Sequence, residues 1–231
     1  MPSTDDSPRN ASAEPDLARE DGRIHRFSRA ERIVHRITAV LMLICIVTAA
    51  VLYNGSISVA IGHRHLVELI HVYSGFALPV PMLLGLVSFA YRADLHRLGQ
   101  FSSSDRRWLR SRTRRDGTIR VGKFNAGQKL NSALTSSSIL VLLTTGIIMY
   151  FVTLAPLGWR TGATFVHDWF SLALGLLIIG HIFYALNDAE ARDGMRTGWV
   201  PRHWAHREHS AWLHEMTDGA DGEQTSELAD P

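Results

Sequence analysis

Four apolar runs, at residues 33–53, 66–91, 130–155 and 164–186, constrain this chain more than anything else in it. Each is close to the ~20 residues that a helix needs to cross ~30 Å of hydrocarbon. Lipid offers backbone N–H and C=O groups no partner, so runs of this kind cross it as helices that satisfy themselves. The expected fold class is therefore all-α: a membrane-embedded four-helix bundle with short amphipathic helices outside it. A near-zero mean hydropathy conceals this, because two polar ends are averaged with the four runs.

Charge indicates which way such a bundle faces. The net charge is only +2, but it is unevenly spread. Arg23, Arg26, Arg29, Arg32 and Arg36 lead into the first run, and Arg92, Arg97, Arg106, Arg107, Arg110 and Arg112 crowd the stretch between the second and third. The other two connections carry Arg64 and Arg160 alone. The positive-inside rule then places both termini and the long middle connection in the cytoplasm. On a soluble protein an arginine-rich loop would read as a nucleic-acid patch, but between two membrane runs it reads as topology, and no nucleic-acid partner is expected. Cys45, the one cysteine, lies inside the first run. Neither a disulfide framework nor a cysteine-held metal or iron–sulfur site is expected.

The chain divides into three parts. Residues 1–23, rich in Ser, Asp, Pro and Arg and without the apolar core of a signal peptide, read as a disordered cytoplasmic lead. Residues 24–215 form the membrane domain, and residues 216–231 an acidic, disordered tail. Within the domain Ser28 is placed to cap the first helix, and residues 54–65 form a short turn-like connection with His63 and His65 at the surface. Pro79 and Pro81 should kink the second span, and residues 103–111 suit a short surface helix. The hydroxyl-rich third run, from Ser132 to Thr145, suits close helix packing. Residues 189–215 carry His203, His206, His209 and His214 at irregular spacing, which suits a surface or subunit-docking role.

Of twelve histidines, four sit inside apolar runs: His35, His71, His167 and His181. His167 and His181 are fourteen residues apart, which on a helix is about 3.9 turns and about 21 Å, so both rings leave one face at opposite ends. Alternating helix direction fixes the depths. His35 shares a level with His181 near the inner surface, and His71 shares one with His167 near the outer. An ionisable group inside a span costs roughly 2.5 kcal/mol or more when charged, so an imidazole kept there has a partner. Two neutral imidazoles from facing helices are what a six-coordinate haem iron needs axially. Gly75, one turn after His71, would let a flat ring approach the backbone. A histidine-using metal or proton transporter would employ similar residues, though normally with Asp or Glu inside the spans, and a haem-free membrane anchor also stays open.

From about Arg26 to Glu215 the chain resembles the membrane cytochrome b556 (gamma) subunit of respiratory formate dehydrogenases, within the di-haem cytochrome b family that hydrogenase cytochrome b subunits share. The resemblance rests on Arg-Ile-Val-His35, His71, the stretch Gly-Lys-Phe-Asn-Ala-Gly-Gln-Lys at 122–129, the His167 and His181 pair, and Ala-Arg-Asp-Gly-Met-Arg-Thr-Gly-Trp-Val followed by Trp204-Ala205. Arg36 departs from it, standing where an aromatic commonly follows the first histidine.

The resemblance implies two b-type haems, with iron ligands His71 and His167 in the outer one and His35 and His181 in the inner one. Asn125, Gly127 and Gln128 would line a pocket for menaquinone or ubiquinone. It also implies an iron–sulfur (beta) subunit as electron donor, a molybdenum or tungsten catalytic (alpha) subunit, a place in the bacterial inner membrane, and no formate chemistry in this chain. Service to a hydrogenase or another molybdenum oxidoreductase is the nearest alternative.

Overall fold

The computed structural model describes residues 22–113 and 118–227, with side chains described as far as Asp218. Residues 1–21 of the expected lead, and the last four of the expected tail, lie outside the described residues. The described residues begin with a short strand, β1 (Arg23–His25), which claims the end of that lead. Next come α1 (Arg29–Tyr53), α2 (Gly55–Ile61), α3 (Arg64–Ala77) and α4 (Val80–Gly85). The long connection holds α5 (Phe89–Gly99) and α6 (Ser103–Arg110), and α7 (Ala126–Tyr150) and α8 (Leu157–Leu186) complete the bundle. Beyond it lie α9 (Ala189–Thr197), β2 (Trp199–Pro201), α10 (Arg202–Glu208) and α11 (Ser210–Glu227). The last of these is helical through the first part of the segment expected to lack order.

Four segments, Arg29–Tyr53, Arg64–Gly85, Ala126–Tyr150 and Leu157–Leu186, are long and apolar enough to span a bilayer. Their outward faces carry exposed Leu43, Leu83, Leu140, Leu176 and Ile179, as lipid-facing surfaces do. The protein is an all-α, multi-pass membrane bundle.

Local chemistry explains where the spans start and stop. Ser28 caps α1 in a reciprocal box, its Oγ accepting from Glu31 N while the Glu31 carboxylate accepts from Ser28 N at 2.6 Å. Asn125 and Gln128 repeat the device on α7. The second span breaks between α3 and α4 at Leu78–Pro79, because Pro79 and Pro81 bring no N–H to the ladder. It ends at Gly85, six residues short of the apolar run, because Ser88 caps a new helix, α5. The third span likewise stops at Tyr150 rather than 155. The fourth begins at Leu157, seven residues before its run, since nothing between Pro156 and Thr164 breaks a helix. In the expected turn-like connection, Asn54 caps α2 and Gly62, at φ 70°, closes it.

α1 packs on α3, and α7 on α8. Met42, Leu78, Ile139 and Leu174 meet at the centre, one from each span. Leu174 is seven residues from both His167 and His181, or about 10 Å along the axis each way. The apolar layer therefore divides the bundle into two polar levels.

At the end that carries the chain termini a compact cap forms. β1 pairs antiparallel with β2, placing Ile24 opposite Val200. Ile24, Val200, Trp204, Ala205, Trp212 and Leu213 make its core. Gly198, at φ 93°, closes α9, and its carbonyl accepts from Arg26 N at 2.8 Å. A Cβ there would lie 2.6 Å from Phe27 O, so only glycine fits.

Candidate functional site

The four spans bring the in-span histidines together in two pairs, at the two levels. His35, in the second turn of α1, faces His181 in the last turns of α8, with ring centroids 6.3 Å apart and planes at 57°. His71 on α3 faces His167 on α8 with centroids 6.4 Å apart and planes at 70°. Two metal–nitrogen bonds of about 2.0–2.1 Å each, with a ring radius on either side, span about 6.3 Å between centroids. Both separations therefore suit an iron between two imidazoles. A Cβ at Gly75, beside the His71 level, would meet nothing within 4 Å, so the helix surface there is open to a flat ring.

The donor set also fits. Among the described residues no group of three or more His, Cys, Asp or Glu side chains converges as a metal site would require. Two ligands per level are too few for zinc, which takes three or four from the protein. They are the number a porphyrin leaves to the protein, since the macrocycle supplies the other nitrogens.

Hydroxyls fix the tautomers of one pair. Thr48 on α1 has its Oγ1 2.6 Å from Ile44 O and 2.9 Å from His71 Nδ1. Its one proton goes to the carbonyl, so His71 Nδ1–H must donate to Oγ1, leaving the Nε2 lone pair for a metal. Thr145 on α7 repeats this, with Oγ1 2.8 Å from Val141 O and 2.9 Å from His167 Nδ1. From the sequence pattern Thr145 reads only as a helix-packing residue, and Thr48 stands out in no way. One signal was available: Thr48 is thirteen residues beyond His35, about 20 Å along α1, which is the level of His71.

Asn125, Gly127 and Gln128 lie in the turn that starts α7, and each has a local structural task. Gln128 N donates to Asn125 Oδ1 at 2.9 Å and Asn125 N to Gln128 Oε1 at 3.0 Å. A Cβ on Gly127 would press on the Trp108 ring at 3.1 Å. A cleft of about 220 Å³ opens beside this turn, lined by Ser102, Asp105, Trp108, Gly122 and Lys129 among others, but none of the three lines it. The amide nitrogens of Asn125 and Gln128 are not used in the box, and both residues are half-buried.

Between this turn and α1 lies a buried ionic cluster. Lys123 Nζ is 2.6 Å from Asp94 and 3.5 Å from Glu31, and Arg97 is 3.3 Å from Asp94. Burial, then a hydrogen bond with Glu31, pushes the Asp94 pKa up to about 7. Glu31 is one helical turn before His35 on α1, so the cluster borders that pair.

Of the four histidines that follow the fourth span, His203, His206 and His214 are exposed as expected, but His209 is 1 % exposed. Its Nδ1–H donates to Gly122 O at 2.7 Å, and its Nε2 accepts from Arg26 at 3.1 Å. Arg26 is itself buried, 4.6 Å over the Trp204 ring and 4.9 Å from Phe27, and donates to Lys123 O at 2.8 Å. Burial lowers its pKa to about 10, which leaves it charged at neutral pH. Sequence spacing could not show this, because the partners come from three distant segments.

Fold and site together define a class: a multi-pass membrane protein whose helices present facing imidazole pairs suited to iron. Comparison with known proteins then gives the family. The chain belongs to the prokaryotic cytochrome b561 family, whose profile matches residues 26–213. It is 34 % identical over 110 residues to the nitrate-inducible formate dehydrogenase cytochrome b556(Fdn) subunit of Escherichia coli, a match covering 46 % of this chain and 50 % of that one. The chain thus spans about half the length of that relative. It is 27 % identical over 206 residues to the formate dehydrogenase cytochrome b556(fdo) subunit of the same organism, covering 84 % and 93 %. The formate dehydrogenase cytochrome b556 subunit of Haemophilus influenzae is 26 % identical over 215 residues, covering 84 % of each.

Proposed function

We propose that this chain is the membrane cytochrome b subunit of a formate dehydrogenase-type complex. It anchors that complex and carries electrons from an iron–sulfur (beta) subunit to menaquinone or ubiquinone, with formate oxidised in a molybdenum or tungsten alpha subunit. The observation that carries the reading is the presence of two imidazole pairs, each at metal-bridging separation, stacked along one bundle.

His71 with His167, and His35 with His181, would hold one b-type haem at each level. Haem bound there supplies one-electron transfer. The apolar layer of Met42, Leu78, Ile139 and Leu174 lies between the two levels. Arginine distribution puts the termini and their cap in the cytoplasm, so His35 and His181 form the inner pair. Asn125 and Gln128, with free amide N–H groups at that inner boundary, would bind a quinone head group beside it, and Gly127 keeps the turn tight. Asp94 and Glu31 stand where protons from the cytoplasm would arrive. Moving one electron inward against 100 mV is worth about 2.3 kcal/mol, so outward-to-inward transfer with inner proton uptake builds the potential.

A reduced-minus-oxidised visible spectrum of the purified protein tests this. A sharp b-type band with two haems per chain is expected, and a flat trace overturns it. Co-purification separates the donors, with a formate-oxidising partner expected. A hydrogenase in its place would move the same site to that enzyme.

A further inference from the structure

The two levels are not built alike. At the far end, both imidazoles donate through Nδ1 to a threonine whose own proton is committed to a backbone carbonyl, in the relays His71–Thr48–Ile44 and His167–Thr145–Val141. At the termini end, neither His35 nor His181 has a ring hydrogen bond to any described residue, and Thr38, three residues after His35, has its hydroxyl buried without a partner. All four spans contribute to the far level, with α7 supplying Thr145 and, beside it, Gly146 against the His167 ring.

We propose that Thr48 and Thr145 are positioning residues that make the outer pair the stronger electron donors to iron, so that the outer haem has the lower reduction potential and transfer runs downhill inward. This rests on the di-haem reading above. A ring N–H that donates into a second hydrogen bond is polarised by it, and electron density shifts toward the opposite nitrogen. A richer Nε2 stabilises the oxidised metal more than the reduced one. The inner pair, with unsupported rings, leaves its iron easier to reduce. Second hydrogen bonds of this kind are typically worth tenfold or more in metal binding.

The test is a potentiometric titration of the purified protein, followed by optical and low-temperature EPR spectra, for Thr48→Val with Thr145→Val and for the two Thr→Ser variants. Valine keeps the shape and removes the hydroxyl. One midpoint should rise by about tenfold in the oxidised-to-reduced ratio, ~59 mV for a one-electron couple, while the other holds. Serine should restore it. Loss of one haem in the valine variant but not in the serine variant also supports the assignment. Two haems with unmoved midpoints, a shift at both levels, or failure of serine to restore would overturn it and leave the di-haem reading standing. Absence of haem from the unmodified protein would instead remove that reading.

Discussion

The two ends of the molecule hold their contents by different physics. At the far end, His71 and His167 are aligned by regular helices and by hydroxyls at the same level on neighbouring spans, so their heights follow from helical pitch. At the termini end, His35 and His181 stand on equally regular helices, but beside them is a cap assembled from segments up to 183 residues apart. There a buried arginine, a buried histidine and two tryptophans replace lipid-facing aliphatic surface. One end is specified by periodicity and the other by long-range polar fit, so substitutions at the second should disturb stability more broadly.

His181→Ala breaks the contrast most sharply. It should remove the inner haem and abolish quinone reduction, while the outer haem stays reducible by the donor. Spectral quantification checks it, and retention of both haems would overturn the ligand assignment.

Arg26→Ala comes next. It strips a charged donor from Lys123 O and His209 and a cation from the aromatic faces, for about 3 kcal/mol. The cap should melt earlier in detergent, with the His71 and His167 level keeping its spectrum.

Gln128→Ala removes half of the capping box, for about 1 kcal/mol. If its amide also meets quinone, the turnover rate falls several-fold with haem content unchanged. An unaltered rate would return this turn to a purely structural role.

The smallest effect concerns pH. Asp94 titrates near 7 in the fold against the ordinary 3.8, because burial and Glu31 disfavour its charge. Between about pH 4 and 7 the folded chain holds a proton that the unfolded chain has released, so the stability from this group declines as pH rises through that window. Asp94→Asn removes that decline. Its melting temperature relative to the unmodified protein should improve from pH 5 to pH 8, and a constant difference would show that Lys123 keeps the carboxylate charged throughout.

Much of this arrangement was legible beforehand. The spans were visible as apolar runs, and the pairing of His35 with His181 and His71 with His167 followed from helix direction alone. Boundaries were less legible. Ser88 and Pro156, single residues with capping or breaking chemistry, moved the ends of two spans by six or seven residues. The strand pairing of Ile24 with Val200 had no local pattern, being three residues on each side. His209 looked like its exposed neighbours because its burial is imposed by Arg26 and Gly122, far away in sequence.

Sequence by itself determined that four helices cross the membrane and that histidines meet at two depths, because helical rise converts residue spacing directly into height. Tertiary structure alone decided which rings receive a hydroxyl and which stand unsupported. That depends on how the spans rotate about their axes and pack against one another, and side-chain shape across the interfaces sets such rotation.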